Sequence, residues 1–261
     1  MRVPMIKKAI LISALSLVLI PSTSPAFAES AEEAGRRVMK QVWDQNRLYE
    51  TRVAEIKMII SDKEGKTRER FFNLWKKYYG EIQDRSLIKF FRPASVKGMS
   101  LLSKSIDTQT THQWIYLSAF KSTKKLSSQD KQDSFMGSDY TYADVAGRQL
   151  DQDNHSLIKE SEKSYYIESI PKDSEDAYSK IRYVIDKARL VTTMAIYYDA
   201  EGAKLKTLKN NKFFQHKELY VATDAVMSNH QSGGNTQLLI NDIKVGAPIE
   251  DSKLGMKGLK E

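Results

Sequence analysis

The chain has 261 residues, no Cys and a formal net charge of +8, from 41 Lys and Arg against 33 Asp and Glu. The lack of Cys excludes disulfides, thiolate metal sites, a cysteine nucleophile and lipid attachment at an N-terminal Cys. The 41% of apolar residues, with 13 Tyr, 9 Phe and 3 Trp, is enough for a sizeable core and argues against wholesale disorder.

Residues 1–28 have the pattern of a cleaved secretory signal peptide. A basic start precedes the apolar run 9–20, and Ala26 and Ala28 have the spacing that signal peptidase requires. The alternative, a membrane anchor, needs ~20 apolar residues. The sequence therefore predicts a mature chain of residues 29–261 in the periplasm, neither lipidated nor membrane-spanning. Its mild net charge of +5 favours a solvated, slightly basic surface over nucleic-acid binding and leaves a weak attraction to anionic membranes open.

A helix is predicted over residues 30–48. Ser30 can cap it, and Glu32 and Glu33 suit its first turn. Val38 and Val42 recur at helical spacing, as do Met39 and Trp43. Such a stripe must be buried, and a sheet is the expected partner.

From residue 52 the apolar period changes to two, which indicates strands. Residues 52–60 and 68–79 flank a turn signal and predict a hairpin, and residues 86–92 are apolar on both faces. Residues 118–150 look irregular, with a helical turn near residues 140–145. Further strands are predicted at residues 99–102, 111–117, 157–161, 165–170, 180–186, 190–198, 204–214, 217–227 and 236–245. About ten or eleven strands joined by tight turns predict a curled antiparallel sheet, with helices against its inner face.

No motif indicates catalysis, a metal or a cofactor. The four His, at positions 112, 155, 216 and 230, have no metal-ligand spacing and are expected at the surface or on edge strands. Residues 151–154 lack the Gly and Glu of a calcium loop. A hydrolase has no nucleophile–base pair to support it. The large apolar residues on the strands are compatible with an ordinary packed core or with a ligand cavity.

The middle of the chain carries a distinctive pattern. Its parts are residues 91–102, residues 113–117 and the run Phe135-Met-Gly-Ser-Asp-Tyr within residues 133–144. This pattern resembles the outer-membrane lipoprotein-sorting proteins of the LolA-like superfamily. More narrowly, it is similar to the branch associated with exporters of the resistance–nodulation–division type.

The resemblance implies a mainly β (α+β) fold, a strongly curved, unclosed antiparallel barrel of about eleven strands with helices across the opening as a lid. Residues 29–261 would form one lipid- or lipoprotein-binding domain, monomeric and not an enzyme. It would carry acyl chains across the periplasm towards the outer membrane. The alternative is an accessory subunit that docks on an inner-membrane exporter. The cargo is open between a lipoprotein, a free lipid and a lipid-like small molecule.

Large apolar side chains on the strands and in the motif are the candidates to line the cavity and lid. By the resemblance, Phe135 and Met136 would lie in or near the lid, Gly137 would supply a permissive backbone, and Asp139 and Asp144 would cap helices. The candidates are Ile56, Met58, Phe72, Leu74, Trp75, Phe90, Phe91, Trp114, Tyr116, Phe135, Met136 and Met194.

Overall fold

The computed structural model describes residues 28–261, so the predicted signal peptide lies outside the described residues except for Ala28. Thirteen antiparallel strands form a single curved, unclosed sheet, which confirms the predicted fold class. The strands are β1 (Thr51–Ser61), β2 (Thr67–Tyr79), β3 (Gln83–Arg92), β4 (Ser100–Ser105), β5 (Thr111–Leu117), β6 (Ser122–Lys125), β7 (Asp153–Glu160), β8 (Ser164–Pro171), β9 (Lys180–Asp186), β10 (Val191–Tyr198), β11 (Lys204–His216), β12 (Leu219–Asn229) and β13 (Asn235–Val245).

Two meanders make up this sheet. Strands β1 to β6 pair in sequence order, as do β7 to β13, and the pairing of β1 with β13 joins the two sets. In that pairing Ile56 lies opposite Ile240, and on its other side Ile56 lies opposite Phe72. The edges of the sheet are β6 and β7, which follow one another in the chain. The connection between them therefore leads from one edge to the other.

The strand count of about eleven was too low. Strand β6 (Ser122–Lys125) lies in the segment predicted to be irregular, and it pairs with β5. Its sequence Ser-Thr-Lys-Lys has no apolar alternation, because an exposed edge strand needs no buried face. The helical turn predicted near residues 140–145 is confirmed as α3 (Tyr142–Ala146).

The other helices are α1 (Ala31–Gln45), α2 (Ser128–Gln132) and α4 (Met256–Lys260). Single 3₁₀ turns occupy Ala94–Val96, Ser118–Phe120, Phe135–Gly137 and Leu150–Gln152. In the part of the chain that the structure describes, every helix falls short of the length and apolar character needed to cross a bilayer.

Helix α1 forms as its sequence predicts and packs against the sheet. Ser30 and Glu33 make a reciprocal capping box at its start. Val38 and Val42 are buried against Ile167 of β8 and Ile185 of β9. We call the side of the sheet that carries α1 the inner face. Towards β7, a Cβ on Gly35 would lie 2.6 Å from backbone atoms of Ser156, so only Gly permits this approach.

The C-terminal end of α1 contacts the half of the sheet that β1 to β6 form. The Trp43 indole Nε1 donates a hydrogen bond to the carbonyl of Glu81 at 3.1 Å. The Arg47 guanidinium lies 3.0 Å from the buried carboxylate of Asp84 and stacks 3.8 Å above the Trp43 ring. Since Glu81 lies in the β2–β3 turn, α1 extends from edge strand β7 to the opposite half of the sheet.

The C-terminal segment, residues 247–261, packs on the opposite, outer face. Leu254 and Leu259 are fully buried against Leu87 of β3 and Leu102 of β4. The Ser100 hydroxyl donates to the carbonyl of Leu259.

Strand β7 also carries a buried histidine. His155 lies on an edge strand, as expected, and only 6% of it is exposed. Its Nδ1 lies 2.7 Å from the Ser169 hydroxyl and its Nε2 lies 2.8 Å from the carbonyl of Leu150. Burial lowers the pKa of His155. The folded protein therefore resists protonation that the unfolded chain accepts.

We expect the free energy of unfolding to fall as the pH drops from about 7.5 to about 5.5, since the unfolded chain takes up a proton near pH 6.5 before the folded protein does. His155→Gln should flatten this fall, and His216→Gln, a half-buried control, should keep it. Urea unfolding at the two pH values measures both. If the free energy of unfolding depends equally on pH in H155Q and in the wild type, His155 is not the source of this pH dependence.

Candidate functional site on the inner face of the sheet

The middle of the inner face is an aromatic cluster. The ring centroids of Phe72 on β2 and Phe90 on β3 are 5.1 Å apart. Phe135, from the β6–β7 connection, lies 5.7 Å from Phe90 and 6.3 Å from Phe72, and Tyr142 lies 5.5 Å beyond it. These spacings are those of attractive aromatic pairs. The sheet therefore holds a residue of the connection at its centre.

That connection contains the segment we call the inner segment, residues 126–146. Its two short helices have polar N-caps: Ser127 precedes α2 and Thr141 precedes α3, each with a capping box. Between the helices, Met136 and Gly137 both have positive φ, 55° and 74°, which makes a tight turn beside Phe135. Gly137 thus supplies the permissive backbone that the sequence predicts.

The N-cap of α3 is Thr141, not Asp139 or Asp144. Asp144 is the third residue of that helix and accepts the Thr141 backbone N–H at 2.7 Å, so it completes the capping box from inside. Asp139 caps no helix. Its carboxylate instead accepts a hydrogen bond from the Thr236 hydroxyl of β13 at 2.7 Å, and burial raises the pKa of Asp139.

A buried ion pair joins the inner segment to the sheet. The Lys206 ammonium of β11 lies 2.5 Å from the Asp144 carboxylate, with 3% and 6% of the two side chains exposed. The Tyr178 hydroxyl donates to the same carboxylate at 2.9 Å, and burial raises the pKa of Tyr178. Lys206 also donates to the carbonyl of Asp139 at 3.3 Å. The inner segment is therefore held both by aromatic packing and by a charged contact.

Beyond the inner segment, apolar side chains continue along the inner face but are only half-buried. They lie on β2, β11 and β13, at the margin of the buried core of the inner face, which contains the aromatic cluster and which we call the central cluster. We call them the apolar strip: Leu74, Leu208, Leu238, Ile240 and Ile243. Towards the end of the sheet where β13 finishes, a groove of about 540 Å³ opens between the end of α1 and the β9–β10 and β11–β12 turns. Its lining includes Leu48, Leu190 and Tyr220.

A polar cavity of about 130 Å³ lies on the other side of the inner segment, against the β8–β9 connection. Gln113, Lys131, Arg148 and Asp176 contribute to its lining. A drug-sized ligand needs ~300 Å³ or more, so this cavity is too small for one. Residues 28–261 hold no group of three or more His, Asp or Glu side chains placed to bind a metal ion.

The structure brings together seven of the candidates named from the sequence. On the inner face, in or against the central cluster, lie Ile56, Met58, Phe72, Leu74, Phe90, Phe135 and Met136.

The other five lie on the outer face. Trp75, Trp114 and Tyr116 pack under the C-terminal segment. Phe91 follows inward-facing Phe90 and pairs with Phe71, with ring centroids 6.2 Å apart. Met194 precedes Ala195, which is fully buried in the central cluster, so the alternation turns Met194 outwards. These five do not share a cavity with the other candidates.

Sequence reasoning did not find Lys206 or Tyr178. Lys206 lies between Leu205 and Thr207 on a strand, where a charged residue normally indicates the solvent face. Its burial depends on Asp144, more than sixty residues earlier in the chain. The alternation of β11 carries no signal for such a pair.

Comparisons with known proteins agree with this architecture. The model of a family described as "Uncharacterized protein" matches residues 82–261. No curated protein matches the chain. A solved structure described as an outer membrane lipoprotein-sorting protein domain from Vibrio parahaemolyticus is 27% identical, with a TM-score of 0.83. The match covers 88% of this chain and 100% of that one.

Two further solved structures extend the likeness. A DUF1329 family protein from Desulfovibrio piger is 25% identical over 88% of this chain and 99% of its own, with a TM-score of 0.82. A LolA superfamily protein from Nitrosomonas europaea is 15% identical over 86% and 98%, with a TM-score of 0.69, and shares the fold. The chain belongs to the family whose model matches residues 82–261, and it shares the fold of the solved lipoprotein-sorting, DUF1329 and LolA superfamily structures.

Proposed function

We propose that the protein is a non-enzymatic periplasmic carrier that shields the acyl chains of a lipid or lipoprotein on the inner face during transport towards the outer membrane. The observation that carries the proposal is the apolar strip, since its half-buried side chains lie inside the curve of the sheet. Such a surface gains stability when an apolar ligand covers it. The description of the Vibrio structure as a sorting-protein domain supports the same function.

The energetics of acyl chains explain why such a carrier has a movable cover. Each buried CH₂ contributes ~0.8 kcal/mol, so one long acyl chain contributes roughly 12 kcal/mol on leaving water. Two or three chains would exceed the practical limit of affinity, about 18–21 kcal/mol. A carrier that buried every methylene could not release its cargo. Partial burial, offset by the work of displacing a cover, keeps both loading and release possible.

The inner segment fits the role of this cover. Phe135 occupies the centre of the inner face, where an extended acyl chain would lie. The contact also leaves polar atoms unsatisfied: within the described residues, the Tyr140 hydroxyl and Gln113 Oε1 are buried without a hydrogen-bond partner. Each such group costs about 1–3 kcal/mol, which lowers the work of displacing the segment.

In this proposal the acyl chain enters at the end of the sheet where the apolar strip and the groove beside α1 meet. The proposed ligand contacts are the seven inward-facing candidates and the strip. The exporter of the resistance–nodulation–division type and the monomeric state remain predictions from the sequence.

A disulfide that links the inner segment to β13 should prevent an acyl chain from binding to the inner face. The Asp139 carboxylate and the Thr236 hydroxyl are 2.7 Å apart, and the chain has no other Cys, so Asp139→Cys with Thr236→Cys gives a single reversible crosslink. We expect the oxidised protein to bind a fluorescent long-chain fatty acid at least tenfold more weakly than the same protein after reduction. A fluorescence titration in both states measures this.

The reduced form is the matched control, because both states carry the same substitutions. A rise in Tm on oxidation confirms that the crosslink has formed. Equal binding in both states would show that the inner segment is not the cover. Absence of fatty-acid binding to the wild type would contradict the carrier function itself.

A further inference from the structure

The turn between β5 and β6 exposes an aromatic residue to solvent. Phe120 is 79% exposed, the most exposed large apolar side chain in residues 28–261, where the next reaches 50%. A Phe in this position leaves most of its surface in water and contributes little to the core. Burial of this ring against another apolar surface would be favourable.

The turn is held firmly by its neighbour. The Ser118 hydroxyl donates to the carbonyl of Lys97 in the β3–β4 connection at 2.8 Å. Gly98 there would place a Cβ 3.2 Å from the Ser118 Cβ, so the two connections are in close contact. Lys121, with a φ of 48°, ends the 3₁₀ turn that carries Phe120. Phe120 therefore projects from a turn that is held by the β3–β4 connection.

The same two connections and the adjoining strand β6 carry several basic side chains. We call residues 92–97 and 118–125 together the basic tip. It contains the exposed Arg92, Lys97, Lys121 and Lys125, and no acidic residue. Within the described part of the chain none of these four has an ion-pair partner, whereas Lys124 is paired with Asp130 at 2.7 Å.

We propose that the basic tip docks on an anionic lipid bilayer, with the Phe120 ring entering the headgroup layer and Lys97, Lys121 and Lys125 facing lipid phosphates. An exposed aromatic ring flanked by unpaired cations has the chemistry of a membrane–water interface. The contact would bring the protein to a membrane whether or not the inner face holds cargo.

Vesicle sedimentation tests the proposal. The purified protein should bind vesicles of equimolar phosphatidylglycerol and phosphatidylcholine, and bind phosphatidylcholine alone far more weakly. Phe120→Ser should weaken binding to the anionic vesicles about tenfold. Lys121→Gln should weaken it about fivefold, and added salt should weaken it further.

The matched control is Ile82→Ser. Ile82 is 48% exposed in the β2–β3 turn, at the opposite end of the sheet, and its loss should leave vesicle binding unchanged. All three variants should bind the fluorescent fatty acid as the wild type does, since none lies on the inner face.

A site-specific label shows which end enters the membrane. Because the chain has no Cys, Phe120→Cys and Ile82→Cys each accept one environment-sensitive fluorophore. Anionic vesicles should shift the emission at position 120 to the blue and leave position 82 unchanged. Equal shifts at both positions, unchanged binding by F120S, or no binding of the wild type to anionic vesicles would each overturn the proposal.

Discussion

Replacing Asp144 by Asn is expected to lower the free energy of unfolding by about 3–5 kcal/mol. The change keeps the shape of the side chain but removes the countercharge that lies 2.5 Å from the Lys206 ammonium. Because 3% of Lys206 is exposed, water cannot replace that charge, and a buried cation without a partner is strongly destabilising. Urea unfolding measures the loss.

A double-mutant cycle separates the pair from its surroundings. Lys206→Met keeps much of the apolar stem and should also destabilise, since the Asp144 carboxylate loses its cation. The free energy of unfolding should fall less in the double variant D144N/K206M than the sum of the losses in the two single variants, because no buried charge remains unpaired. Additive losses would contradict the buried ion pair.

The exposed pair of Lys40 and Asp44 on α1 is the matched control. Its side chains are 53% and 52% exposed, so Asp44→Asn should change stability by no more than ~0.5 kcal/mol. A loss of that small size in D144N would contradict burial of the Asp144 charge.

Ile240→Asp should weaken binding of a fluorescent long-chain fatty acid by about fiftyfold. Ile240 belongs to the half-buried apolar strip, and a carboxylate there would keep water beside the chain. Losing contact with even three methylenes, at ~0.8 kcal/mol each, accounts for that factor. Titration of the variant against the wild type measures it, and Ile240→Ser provides a milder change at the same position.

Phe91→Asp is the matched control, since Phe91 is a half-buried residue on the outer face. Phe91 is a cavity candidate by its sequence, whereas its place on the outer face predicts nearly unchanged binding of the fatty acid. Loss of binding in F91D and retention in I240D, both folded by circular dichroism, would place the acyl chain on the outer face.

The local signals in the sequence were sufficient for the fold. Ser30 and Glu33 identify the start of α1, and the alternation around Ile56 identifies β1, because both patterns involve neighbours in the chain. Strand β6 escaped detection because a short polar edge strand has no such pattern.

The site was less predictable, for two physical reasons. Period-two alternation shows that Phe90 and Phe91 face opposite sides, but does not say which side is covered by the inner segment and which by the C-terminal segment. Both coverings come from distant parts of the chain. Contacts such as Lys206 with Asp144, or Leu259 with Leu102, depend on how the sheet curls, and no spacing in the sequence encodes them.

The order of the strands links the separation of the two sheet edges to the position of the inner segment. Its two edges, β6 and β7, are linked only by residues 126–152. Laid flat, thirteen strands would separate the edges by roughly 58 Å, and the link can reach about 90 Å when extended. Folded into α2 and α3 on the inner face, the link is much shorter. The edges can therefore separate fully only if the link leaves the inner face and straightens, so opening the sheet and uncovering its inner face are one movement.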